Sequence, residues 1–156
     1  YEDEAFSTLR DQAWNKVFEA AVFKKLPKEY VEKGQKTVED QIKEEMTLYG
    51  LESIDDYLEM AGMTKDDYNE YLTYYGETYA QNMLIVDAIW EKEGLTADSE
   101  SYKNALQEIV DGTGQTAEEL EKQYGDEVDR DCRTMAVNDT IISYAKIKEV
   151  KAQEGE

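Results

Sequence analysis

Apolar side chains recur along this chain at spacings of three and four residues, the period of one face of an α-helix. The first segment carries Phe6, Leu9, Ala13, Val17 and Ala20 on one face, with Trp14, Phe18 and Phe23 beside it. A central stretch, 64–93, carries Tyr68, Leu72, Tyr75, Tyr79, Met83, Val86 and Trp90 as one stripe, and Tyr71, Tyr74, Ile85 and Ile89 as a partial second. Its second half is aliphatic nearly all round, which predicts burial. Its first half, rich in tyrosine and interrupted by Gly76, predicts an outer limb with one amphipathic face. Near the C-terminus Val128, Cys132, Met135 and Ile142 align, flanked by Val137, Ile141 and Tyr144. These positions, the first helix and residues 83–90 are expected to pack together. No apolar–polar alternation joined by hairpin turns occurs, so strand content is expected near zero.

Capping chemistry divides the pattern into elements. Three hydroxyl residues stand three positions before an acid: Ser53 with Asp56, Thr64 with Asp67, and Thr116 with Glu119. In such a box the hydroxyl accepts a backbone N–H while the acid reaches back to the cap. Pro27 opens a further helix, and Gly50, Gly62, Gly94, Gly112 or Gly114, and Gly125 fall where helices stop. The expected helices are 4–25, 27–49, 53–61, 64–93, 98–111, 116–124 and 126–149. The helix over 64–93 would span roughly 45 Å at about 1.5 Å per residue. The short loops favour antiparallel neighbours, and the reading is an all-α fold in one domain over 1–156.

Charge narrows the function. Seventeen basic residues stand against thirty-seven acidic ones in 156, a formal net charge of −20. Phosphate binding needs a positive stripe, so a nucleic-acid groove is not expected, and anionic lipid is disfavoured too. The same charge makes copies of the chain repel one another. Aromatics at 11% are too many for a disordered chain, while 35% charged residues are many for a sphere. An elongated helical body fits both. No stretch approaches the 18 or so apolar residues of a membrane span. The chain opens on Tyr1 without a signal-peptide pattern, which reads as a segment of a longer protein.

Catalysis finds little support. Histidine is absent, which removes the commonest general base and zinc ligand. The single cysteine, Cys132, excludes an intramolecular disulfide and lies on an apolar helix face, as a core thiol would. Asp55–Asp56, Asp66–Asp67 and Glu118–Glu119 sit in first helical turns, where acids complement the dipole. "DEVDRDC" lacks the glycine and closing glutamate of a calcium loop, and "GTGQT" lacks the lysine of a phosphate loop. No metal, no cofactor and no catalytic residue is expected.

Apolar surface is what remains. "EEMTLYGLESIDDYLEMAGM" crowds methionine, leucine and tyrosine around two short loops, and the next helix adds five tyrosines between 68 and 79. Methionine is flexible and polarizable; tyrosine is broad, amphipathic and rigid. The candidate polypeptide-binding residues are therefore Met46, Tyr49, Tyr57, Met60, Met63, Tyr68, Tyr71, Tyr74, Tyr75 and Tyr79. The alternative, that they glue the short helix 53–61 onto its neighbours, stands beside this.

The order of the pieces resembles a known family. "LPKEYVEKG", "YGLESIDDYLEMAGMTKDDYNEY", "IVDAIWEKEGL", "TAEELEKQYGDE" and "IISYAKIKE" follow one another as in the C-terminal, SurA-like domain of bacterial trigger factor. The likeness covers essentially the whole chain, although Gly34 and Gln35 stand where the family more often has charged and apolar helix formers. It implies an all-helical chaperone body with two protruding arms that holds unfolded or nascent polypeptides without ATP, assisting folding. It implies no enzyme in this chain, since the FKBP-like prolyl isomerase and the ribosome-docking part of such proteins are separate domains not seen here. The compartment implied is the bacterial cytoplasm, or the cell surface for an exported, lipid-anchored relative. The alternative function is a structural scaffold that positions such an isomerase domain. It requires Tyr68, Tyr71, Tyr75 and Tyr79 to be mostly buried against the chain's own helices.

Overall fold

The computed structural model describes the backbone of residues 2–145 and the side chains of residues 7–145. Among them the structure is all-α: α1 (Glu2–Ala20), α2 (Lys28–Tyr49), α3 (Ile54–Ala61), α4 (Lys65–Lys92), α5 (Glu100–Thr113), α6 (Ala117–Tyr124) and α7 (Asp126–Tyr144). The chain forms two compact units, one of Ala21–Asp87 and one of residues 2–20 with 88–145.

The helix starts follow the local chemistry. Ser53 and Thr116 close capping boxes with Asp56 and Glu119. Thr64 does the same: its Oγ1 accepts from the Asp67 N–H, and Asp67 Oδ2 accepts from the Thr64 N–H at 3.0 Å. These hydrogen bonds hold the Asp67 and Glu119 carboxyls below their ordinary range. At the stops, Gly50 and Gly62 adopt left-handed φ of 67°. That turn lets the Leu51 N–H donate to Met46 and the Met63 N–H to Leu58, satisfying carbonyls the helices leave open. Gly114, not Gly112, ends α5.

Two helices end well before their expected boundaries. The first helix ends at Ala20 rather than 25, and 21–27 is irregular, with a bend at Lys24. Ala21 and Phe23 are half-buried while Val22, Lys24 and Lys25 are exposed. Phe23 therefore does not continue the apolar face of α1. At the other end Ala145 is extended at φ −69°, ψ 130°, which closes α7 at Tyr144; the rest of the expected extension, 146–149, lies outside the described residues, as does the Phe6 side chain.

In the unit of Ala21–Asp87, α2 buries Gly34, Val38 and Ile42 at successive turns. The facing line on α4 is Gly76, Ala80 and Val86, with Leu72, Tyr79 and Met83 half-buried along it. A Cβ on Gly34 would lie 2.5 Å from Tyr79 Cβ and 3.1 Å from Gly76 Cα. Gly76 is thus no break between a buried root and an outer limb; two glycines meet where α2 and α4 cross most closely. The glycine at 34, out of place as a helix former, is there for this contact. Leu58 pins α3, and Tyr30 Oη donates to Asp87 Oδ2 at 2.5 Å.

In the other unit α7 is the centre. Cys132, Ala136 and Val137 are fully buried, and α1, α5 and α6 all pack on α7. Burial pushes the Cys132 thiol up, so it stays neutral and apolar. Arg10 ties α1 to α7 through Asp139 at 2.6 Å. Trp90 meets Tyr102 edge-on at 5.9 Å, with the Arg133 guanidinium 5.0 Å over its ring. Tyr102 Oη donates to Asp129 at 2.9 Å.

Each unit thus holds one phenol pushed up to about 12: Tyr30 by its hydrogen bond to Asp87 and then burial, Tyr102 by burial and then Asp129. Both fold with the neutral phenol favoured. Their contribution is complete below the ordinary tyrosine value of about 10 and is lost as pH rises through about 12. Absorbance titration of the folded chain should show two phenols ionising in that last step. Tyr30→Phe and Tyr102→Phe should each remove one; a late step that survives both would disprove the assignment.

Candidate functional site

All ten candidate residues fall in the unit of Ala21–Asp87. Met46 and Tyr49 come from the end of α2, Tyr57 and Met60 from α3, Met63 from the turn after it, and the rest from α4. The structure divides them. Tyr49, Met60, Tyr71, Tyr74 and Tyr75 are exposed; Met46, Tyr57, Met63, Tyr68 and Tyr79 are half-buried.

The exposed α4 rings form one cluster. Tyr71 and Tyr75, one helical turn apart, place their centroids 4.5 Å from each other, and Tyr74 meets Tyr75 edge-on at 5.6 Å. A hydrogen bond to Tyr75, then burial, raises the Tyr71 phenol above its ordinary value. Tyr74 is the most open of the three, at 65%. Tyr75, on the same apolar stripe as Leu72 and Tyr79, is 42% exposed, because Gly76 and Ala80 occupy the buried line. Small residues do not register in a count of large apolar ones.

The half-buried tyrosines link the helices. Tyr57 Oη donates to Glu45 Oε2 at 2.9 Å, and burial first, then this bond, raises its phenol. Tyr68, raised by burial and by the nearby Glu39 carboxylate, also faces Lys43. Tyr79 covers Gly34. These three serve packing as much as display.

Leu48, at 78% exposed, was not among the candidates. The signal was present: the buried line Gly34–Val38–Ile42 advances four residues at a time toward Met46, which leaves Leu48 on another face. The apolar residues that α2, α3 and α4 leave open are thus Leu48, Tyr49, Met60, Tyr71, Tyr74 and Tyr75. The arrangement offers rigid aromatic area and flexible aliphatic side chains in one unit, with Glu39 near Tyr68 and Glu45 near Tyr71.

The family model for the bacterial trigger factor protein (TF) C-terminus matches residues 1–151. The chain belongs to this family. The trigger factor of Halothermothrix orenii (strain H 168 / OCM 544 / DSM 9562) is 26% identical over 119 residues, 76% of this chain. The chain spans 27% of that relative's length. No solved structure matches. None of the described helices is long and apolar enough to cross a membrane.

Proposed function

We propose that this trigger factor C-terminus binds unfolded or nascent polypeptides, without ATP, on the face formed by Leu48, Tyr49, Met60 and the Tyr71–Tyr74–Tyr75 cluster. The carrying observation is that three rings packed through Tyr75 stay open to solvent in a strongly acidic chain. Aromatic contacts contribute about 0.5–1.5 kcal/mol each beyond burial, so holding is weak per contact and gains strength through several at once. Glu39 and Glu45 favour clients that carry basic residues near their apolar ones. Met46, Tyr57, Met63, Tyr68 and Tyr79 extend the face where a client displaces water from its edges. Ribosome docking and prolyl isomerisation belong, in this reading, to other domains. The compartment proposed is the bacterial cytoplasm, with an exported lipid-anchored form as the alternative.

The test is aggregation of a denatured model protein together with anisotropy of a labelled basic–aromatic peptide. Tyr71→Ser/Tyr74→Ser/Tyr75→Ser should weaken the peptide about tenfold, taking about 0.5 kcal/mol per exposed ring. Far-UV circular dichroism should not change. A chain that neither suppresses aggregation nor binds the peptide, or a triple variant that binds undiminished, would leave the scaffold reading. The half-burial of Tyr68 and the packing of Tyr79 on Gly34 favour that reading for those two residues.

A further inference from the structure

The unit of residues 2–20 with 88–145 carries a second apolar surface of opposite electrical character. A cavity of about 320 Å³ opens where α1, the end of α4 and α7 converge. Ala13 and Val17 of α1, Ile89 of α4 and Ile141 of α7 line its apolar wall, all half-buried rather than sealed. Its charged lining is Lys16, Lys92 and Glu93, in a chain where acids outnumber bases by more than two to one. The glutamate is engaged: Tyr144 Oη donates to Glu93 Oε2 at 3.0 Å, and this bond raises the Tyr144 phenol. Tyr144, 71% exposed, is held by it at the cavity's margin. The two lysines are exposed and form no ion pair with a described carboxylate.

We propose that this groove docks a short apolar peptide segment carrying an acidic residue, the aliphatic or aromatic side chain entering between Val17, Ile89 and Ile141 and the carboxylate meeting Lys16 and Lys92. The volume lies at the lower end of natural ligand pockets, about 300–1,000 Å³, which suits one or two apolar side chains. Charge complementarity selects the flanking group: two ammonium groups outnumber the one carboxylate of the lining, Glu93, which already accepts from Tyr144, so the groove attracts a carboxylate and rejects a lysine. A second copy of the chain is disfavoured, because a net charge of −20 sets copies against each other. The site is independent of the tyrosine face and has the reverse charge preference. A chaperone with both could hold acidic and basic apolar stretches of one client on different units.

The experiment uses the whole 156-residue chain and three labelled peptides, alike in their leucine and phenylalanine but carrying aspartate, asparagine or lysine beside them. The aspartate peptide should bind best, and backbone amide shifts should move at Ala13, Val17 and Ile141. Lys16→Glu/Lys92→Glu should weaken it about tenfold at low salt, less as the screening length falls to about 8 Å at physiological ionic strength. The same variant should improve the lysine peptide. Tyr71→Ser/Tyr74→Ser/Tyr75→Ser should leave the aspartate peptide unchanged, which separates failure here from failure of the tyrosine face. The shift map on the unaltered chain tests the site even if the charge reversal disturbs folding. Equal binding of the three peptides, shifts confined to α2–α4, or loss in the tyrosine variant but not the lysine variant would overturn the proposal. So would binding of decanoate but of no peptide, binding that appears only after removal of 146–156, or a groove occupied by a second copy in a concentration-dependent dimer.

Discussion

Gly34→Ala should destabilise the unit of Ala21–Asp87 by about 2 kcal/mol, although alanine is the better helix former by about 1 kcal/mol. The new Cβ would stand 2.5 Å from Tyr79 Cβ and 2.9 Å from Tyr79 Cγ. A χ1 rotation could move Cγ, but Cβ is fixed to the α4 backbone and no rotamer change clears it; the helices must part or slide. Parting them uncovers Val38, Ile42 and Val86, which are all but fully buried. Gly76 is the reciprocal case. Its Cβ would approach Gln35 Cγ at 2.8 Å, which can swing aside, and the Val31 carbonyl oxygen at 2.8 Å, which cannot. Gly112→Ala is the control, since its Cβ would meet nothing within 4 Å inside α5. That change should be neutral or stabilise by up to about 1 kcal/mol. Thermal unfolding reads the difference: for a unit of this size each kcal/mol moves Tm by roughly 4–8 °C. A Gly34→Ala chain as stable as the unaltered one would mean that the crossing is looser than these distances.

The same crossing marks what sequence reasoning could and could not reach. Capping boxes and glycine stops act within four residues, so their positions were legible, and Ser53, Thr64, Thr116, Gly50 and Gly62 all perform the expected role. The end of α1 was not legible, because the apolar run continues through Ala21, Val22 and Phe23 without a glycine or proline until Pro27. Gly76 read as a weak point when it is a contact, since helix propensity carries no knowledge of Gly34. At the candidate face the aromatic excess and the two short loops all fall in the unit of Ala21–Asp87, where five of the ten candidate side chains are exposed. Which ring faces water was decided by Gly76 and Ala80, residues without a hydrophobic signature of their own. The convergence of α1, the end of α4 and α7 was legible in their apolar faces, which include Ala13, Val17, Ile89 and Ile141; that these leave a groove open beside Lys16 and Lys92 was not, because its walls come from three segments separated by the length of the chain.

Leu120→Ala should release α6 from its unit at a cost of about 3 kcal/mol, within the usual 2–5 for a buried leucine. The helix has eight residues, well below the roughly 12–15 at which an isolated helix is even marginal in water. Leu120, 1% exposed, is its one buried residue, seated where α6 packs on α5 and α7. The other support is the capping box, in which the Thr116 hydroxyl accepts from Glu119 N–H and the Glu119 carboxylate answers at 2.8 Å. Thr116→Ala alone should cost about 1 kcal/mol. The two effects should not add: once Leu120 is gone the helix is largely undocked, and a cap on an absent helix stabilises nothing. Amide exchange is the direct readout, with protection at Leu120–Tyr124 lost in Leu120→Ala while Cys132 and Val137 on α7 stay protected. If the double variant instead showed the full sum, about 4 kcal/mol, α6 would persist without its leucine, and the cap would be holding it in place.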